Sequence, residues 1–231
     1  MPIALIRGFS LLAAAAVLAG CAHQPTAAQR DLQHCANALK AIKTDQNQLV
    51  IQEADLCLAK NTLPAKIQST VYLLKSAAYS NLKQYPEAII AREKSIATNP
   101  QVEPRATLEL SYLYRLNGNP RKALELVQSN LDAGLGELGK GGGFNMPTFY
   151  HLGLALLDLG EYREAAEAFS AGLVKQPDYA WAFYQRSLAY DRLGDKENAR
   201  RDLMQFAKLV DQSTVEPEHK AQLAAYQVKL P

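Results

Sequence analysis

The chain has 231 residues, enough for one or two domains. Its 25 Lys and Arg against 23 Asp and Glu leave a formal charge of +2, so nothing in the charge balance argues for a nucleic-acid or acidic-surface partner. An Ala- and Leu-rich composition with only 13 Gly fits a helical protein.

Residues 1–20 read as a secretory signal peptide. Arg7 is their only basic side chain, and Leu11 to Ala19 is unbroken apolar sequence. That run falls short of the roughly 20 apolar residues a bilayer-spanning helix needs. It ends Leu18-Ala19-Gly20-Cys21, which resembles the bacterial lipobox, where cleavage before the Cys leaves it N-terminal and lipid-modified. The alternative is an ordinary signal peptide followed by a chance Cys. A single acyl chain anchors only marginally, so the several chains implied for Cys21 are what would make attachment stable. Ala22 follows, not Asp, and in the Gram-negative lipoproteins that this segment resembles that implies the outer membrane, periplasmic face. Residues 21–29 are the lipidated Cys and a polar linker.

Residues 30–68 predict a helical hairpin. Leu32, Cys35, Leu39 and Ile42 share one face of a helix over Arg30 to Ile42, Thr44 to Asn47 is a turn, and Leu49 to Leu58 is the second helix. Cys35 and Cys57 each lie eleven residues from Gln46 at the centre of the turn, which sets them opposite each other in an antiparallel pair. In an exported protein this predicts a disulfide; two buried free thiols are the alternative. Metal binding is disfavoured, because no CxxC and no His pair accompanies them.

A repeated pattern occupies residues 69–212. Ser69 to Val102 carries Tyr72, Ala78, Tyr79, Leu82, Tyr85, Ala88, Ile96 and Pro100. Pro104 to Leu131 carries Leu110, Tyr114, Gly118, Pro120, Ala123 and Val127. Met146 to Tyr179 carries Phe149, Leu152-Gly153, Leu156, Gly160, Tyr162, Ala165, Phe169 and Pro177. Ala180 to Gln212 follows at an offset of 34, with Phe183, Ala189, Tyr190, Gly194, Ala199, Leu203 and Phe206. Between the second and third copies lies a Gly-rich loop, residues 132–145, which accounts for the eight extra residues separating Ala123 from Ala165. A pair of helices this short cannot bury its own apolar face and needs a similar pair beside it. The pattern resembles the tetratricopeptide repeat, TPR. The fourth copy departs from it, with Arg186-Ser187 where Leu-Gly is usual and Asp211 where Pro is usual. The resemblance implies an all-α fold: a right-handed α-solenoid of about four hairpins plus the N-terminal hairpin. A capping helix over Glu216 to Leu230, within residues 213–231, should cover the last apolar face.

No catalytic constellation emerges. Gly134 to Lys140 satisfies GxGxxG, but no strand precedes it and Gly141 stands where a P-loop needs Ser or Thr, so it reads as a mobile inter-repeat loop. His23, His34, His151 and His219 have no metal-ligand spacing, and neither enzyme chemistry nor a cofactor is expected. TPR arrays line their concave face with first helices. The resemblance therefore implies a partner surface of Tyr112, Arg115, Tyr150, His151, Asp158, Trp181, Tyr184, Gln185, Asp191 and Arg192. Aromatics with scattered charge are what interfaces favour. Leu73, Ala77 and Glu109 occupy positions where some family members clamp a C-terminal carboxylate, so that clamp is not expected. The expected function is a lipid-anchored periplasmic adaptor for proteins or peptides, serving cell-wall enzymes, secretion or pilus assembly. The alternative is a structural subunit of an envelope assembly working through its convex face or as a homodimer.

Overall fold

The structure, a computed structural model, describes residues 27–59, 63–99, 104–136, 139–140 and 144–231. The signal peptide, Cys21, linker residues 22–26 and Pro100 lie outside the described residues, and Ala27 to Gln29, read as linker, belong to the first helix. Among these residues ten helices pair into five antiparallel hairpins. They are α1 (Ala27–Ile42) with α2 (Asn47–Leu58), α3 (Ala65–Asn81) with α4 (Tyr85–Thr98), α5 (Pro104–Leu116) with α6 (Pro120–Asp132), α7 (Met146–Leu159) with α8 (Tyr162–Lys175), and α9 (Ala180–Arg192) with α10 (Lys196–Leu209). A 3-10 turn at Gln212–Thr214 leads to α11 (Pro217–Ala225). Each hairpin packs on the next, so the architecture is an all-α solenoid of paired helices.

The hairpins share one turn chemistry. Proline enters the first turn of α4, α6, α7 and α11, where its missing N–H is no loss. The side chains of Asn119 and Asp195 accept from the N–H groups of Lys122 and Asn198, both at 3.1 Å, and so cap α6 and α10. Every first helix closes with the same backbone N–H to C=O hydrogen bond spanning five residues, the Schellman arrangement: Gln46 to Ala41, Gln84 to Tyr79, Asn119 to Tyr114, Glu161 to Leu156, Asp195 to Tyr190 and Val228 to Leu223. The residue before each of these donors has positive φ. Gly118, Gly160 and Gly194 fill three of those positions without strain, and Asp45, Lys83 and Gln227 fill the others.

The last of the six turns changes the reading of the C-terminus. Helix α11 ends at Ala225 rather than continuing to Leu230, because Gln227 adopts a φ of 55° and reverses the chain. The segment closes with the same turn as the first helices. Within the loop after α6, Leu135–Gly136 pairs antiparallel with Gly139–Lys140.

The core runs along the hairpin interfaces. Ala88, Ala123, Ala165 and Ala199 recur at one register and are fully buried, small residues where two helices approach closely. Phe169 fills the space over Gly153, where an added Cβ would stand 2.6 Å from its ring. In the first hairpin Cys35 and Cys57 form a disulfide with a Cα–Cα distance of 5.1 Å, and Cys57 packs with Ala38, Ala54 and Val71. Arg186, the departure from Leu in the fourth repeat, is absorbed by a salt bridge. Its guanidinium donates to both oxygens of the buried Asp202 at 2.8 Å and to Ser170 Oγ at 2.8 Å, and it stacks against Phe183 and Tyr190. Burial alone would lower the Arg186 pKa, and the Asp202 carboxylate overcomes this to leave it above its ordinary value.

Candidate functional site

The first helices carry the residues assigned to the concave face, and the structure brings most of them together. From α5, Tyr112 is 41% exposed, and its ring meets His151 of α7 edge-on at 6.2 Å. Tyr150 sits deeper, with its ring 5.3 Å from that of Tyr179, and Gln185 of α9 hydrogen-bonds its side chain. Burial, reinforced by Tyr179, raises the Tyr150 pKa, so its hydroxyl stays a neutral donor. Arg115 and Asp158 form an ion pair at 2.5 Å across 43 residues of sequence. The pair braces α5 against α7 at the place where the inserted loop separates the hairpins.

A recess of about 480 Å³ follows between α7, α9 and α11, lined by Asp158, Tyr162, Leu188, Asp191, Arg192 and Gln222. Arg192 lies 5.8 Å over the Tyr162 ring and reaches its hydroxyl at 3.4 Å. Asp191 accepts from Lys196 at 2.6 Å and from the Tyr226 hydroxyl, and these two bonds lower its pKa. Tyr162, Leu188 and Gln222 were not among the sequence-derived candidates. Tyr162 is on a second helix and reaches the recess only because α7 ends at Gly160, and Gln222 belongs to the helix read simply as a cap.

Trp181 and Tyr184 are a correction. Tyr184 is only 6% exposed, and its ring lies 5.1 Å from Phe206 and 4.9 Å from His219. The half-buried Trp181 stands 5.2 Å from Phe206 and 4.9 Å from His219. The cause is α11, which brings His219 against both rings. Both residues pack the end of the array instead of presenting a free surface.

A second polar region includes Leu73 and Glu109, which sequence reading weighed only as absent clamp positions. Helices α1 and α3 pack together, as do α5 and α7, but no comparable packing joins α3 to α5. A cleft of about 440 Å³ opens there, lined by Lys66, Ser69, Thr70, Arg92, Ser95, Asn99, Arg105 and Glu109. Arg92 occupies the register of Val127, Phe169 and Leu203 in the later repeats, a signal that the sequence does carry. Among the described residues no group of three or more His, Cys, Asp or Glu side chains could hold a metal ion, and no helix is long and apolar enough to cross a membrane.

This architecture, paired helices stacked with first helices facing one groove, defines a TPR-like solenoid. Residues 147–173 and 181–213 each match the family described as Tetratricopeptide repeat. No curated protein matches the chain in sequence. Among solved structures it is similar to the crystal structure of MamA protein, at 17% identity and a TM-score of 0.62, over 87% of this chain and 98% of that one. It is similar to PilW, described as a widely conserved type IV pilus biogenesis factor, at 13% identity and a TM-score of 0.67, over 86% and 84% of the two chains. It is also similar to YrrB, described as a TPR protein with an unusual peptide-binding site, at 19% identity and a TM-score of 0.60, over 86% and 92%. Likeness at these identities is likeness of fold.

Proposed function

We propose that the chain is a lipid-anchored adaptor on the periplasmic face of the outer membrane. It binds a protein or peptide partner in the groove of α5, α7 and α9 and scaffolds an envelope complex, such as one for pilus assembly, secretion or cell-wall enzymes. The carrying observation is the lining of that groove. Arg192 lines a recess in which Asp158, Asp191 and Gln222 supply acceptors and donors, and the exposed Tyr112 stands on α5 of the same groove, the mixture that interfaces use. The peptide-binding site described for YrrB and the pilus role described for PilW, both similar folds, support the reading. The lipobox-like ending at Cys21 supports the anchor.

The test uses the full-length chain expressed in its own envelope, with capture from detergent-solubilised membranes and mass spectrometry. Tyr112→Ala with Arg192→Ala should lose a specific partner that the unsubstituted chain retains. Aromatic and Arg anchors are typically worth about 2 kcal/mol or more each. Tyr184→Ala should instead lower stability by about 3 kcal/mol, as a buried aromatic does. Cys21→Ser should release the protein from membranes after a high-salt wash. Retention of the partner by the folded double variant refutes the groove, and retention of the Cys21 variant on membranes refutes the anchor. A second reading, contact through the convex side, draws on the exposed Ile90, Val174, Met204 and Leu209 of the second helices. It predicts that substitutions there, not in the groove, abolish capture.

A further inference from the structure

We infer that the exposed stripe of α1 formed by Leu32, Ala36 and Leu39 is a membrane-contact face, which lies in the bilayer interface beside the anchor. Leu32 and Leu39 are each 46% exposed. They stand seven residues apart with Ala36 between them, so they share one side of the helix. Lys40 and Lys43 are exposed at the C-terminal end of the stripe. The other side of α1 is used by the fold: Ala38 packs with Ala54, Cys57 and Val71, and Ala41 with Val50 and Ala78. At the far end of the array α11 brings His219 against Trp181 and Tyr184, whereas Leu32 and Leu39 stay open. Single exposed leucines need no explanation. Two in helical register, within reach of a lipid anchor, do.

The tether selects the bilayer as the occupant, and the inference rests on the reading of Cys21 as the lipid anchor. Cys21 stands six residues before Ala27, where α1 begins. Fully extended, that stretch reaches about 20 Å, less than the roughly 24 Å length of the 16-residue helix itself. The anchor therefore holds α1 within its own length of the lipid. Two leucines would not retain a free protein on a membrane. A tethered patch, however, meets the bilayer at high effective concentration, and a weak contact is then enough to orient it. The chemistry fits. An interfacial helix sets its apolar stripe at the headgroup boundary, and lysines lay their stems along it while their ammonium groups reach anionic headgroups. The bridge from Cys35 to Cys57 ties α1 to α2 at a position between the two leucines, so the outermost helix stays on the array while its open side faces lipid. The recess at α7, α9 and α11 belongs to the hairpins furthest along the chain from this contact.

The test reconstitutes the mature lipidated chain into vesicles of phosphatidylethanolamine with phosphatidylglycerol as the anionic lipid, with and without bromine on the acyl chains. Trp181 is the chain's one tryptophan and packs against Phe206 and His219, so its emission is the baseline. Leu32→Trp and Leu39→Trp, made separately, should each add emission that shifts to the blue on vesicles and loses at least half its intensity with brominated lipid. Val174→Trp, at a position 79% exposed on α8, should add emission that brominated lipid leaves nearly unchanged. Lys40→Glu with Lys43→Glu, placed in the Leu39→Trp chain, should reduce the quenching by at least half. Helical circular dichroism checks each variant, and the two leucine positions read the face independently if one does not fold. The mass of the mature chain and its flotation with vesicles report the anchor by themselves. A lipidated chain that floats, yet is quenched at Leu32 and Leu39 no more than at Val174, overturns the membrane face and leaves the anchor standing. A blue shift without quenching overturns it too, because a protein surface such as a second copy then covers the stripe. A chain without acyl groups that does not float overturns both readings.

Discussion

Substituting Asp202 by Ala removes one half of an ion pair that the fold holds away from water. Asp202 is 3% exposed and accepts both arms of the Arg186 fork at 2.8 Å. Loss of one partner of a buried pair generally costs about 3–5 kcal/mol, because the remaining charge is left uncompensated. Arg186 keeps its bond to Ser170 and its contacts with Phe183 and Tyr190, which puts the expectation at the lower end, about 3 kcal/mol. For a domain of this size that is a fall in Tm of about 6–12 °C. The third repeat supplies the control. At the registers of Arg186 and Asp202 it carries Leu152 and Ala168, which pack in its apolar core. Arg186→Leu combined with Asp202→Ala should therefore return to within about 1 kcal/mol of the starting protein, or exceed it, since apolar replacement of a buried pair is often neutral or stabilising. Urea unfolding followed by circular dichroism on the four corners of this cycle gives the coupling. A loss below about 1 kcal/mol for Asp202→Ala, or a double variant as unstable as the single, would refute the reasoning.

Reducing the Cys35–Cys57 bridge, which closes 22 residues of sequence, should cost about 3 kcal/mol by loop entropy. Hydrogen exchange should place the loss in α1 and α2, with protection in α7 to α10 unchanged. Gly153→Ala should destabilise by about 1–3 kcal/mol in urea despite the better helix propensity of Ala, because its Cβ would enter the Phe169 ring. Burial and the hydrogen bond to Glu93 raise the Tyr114 pKa to about 12. A raised folded value means that its stabilising contribution is present below about pH 10 and lost as pH rises through about 12. Tyr114→Phe should flatten the alkaline limb of stability over that window, which unfolding midpoints against pH would measure.

The repeat register was readable because close helix contacts demand small residues at fixed places. Ala88, Ala123, Ala165 and Ala199 are all fully buried, and Gly153 admits Phe169 as its spacing implies. Register also assigned Tyr112, Tyr150 and Gln185 to the first helices. It could not say what the next helix covers. Trp181 and Tyr184 hold groove positions by count, yet α11 with His219 lies over them. Three of the six helix-closing turns carry Asp45, Lys83 and Gln227 in the left-handed conformation, where no glycine marks the break, and the end of α11 was misjudged for that reason. Ion pairs were the other blind spot. Arg186 read as a departure from pattern because its partner Asp202 lies a helix away, and only the folded chain brings the two together.

That departure and Arg92 bear on each other. Both arginines replace apolar residues that other repeats use for packing, and both are largely buried, so a purely structural account should serve them equally. It does so for Arg186, whose donors are spent on Asp202 and Ser170 and whose faces are covered by Phe183 and Tyr190. For Arg92 the accounting does not close. Its carboxylate partner Glu109 is itself exposed at 45% of its side chain and shared with Arg105 at 3.6 Å, and burial lowers the Arg92 pKa despite Glu109. A guanidinium remains protonated under such a shift. The same substitution type thus closes the packing at the last repeat and leaves the Arg92 Nε without a hydrogen-bond partner near the first.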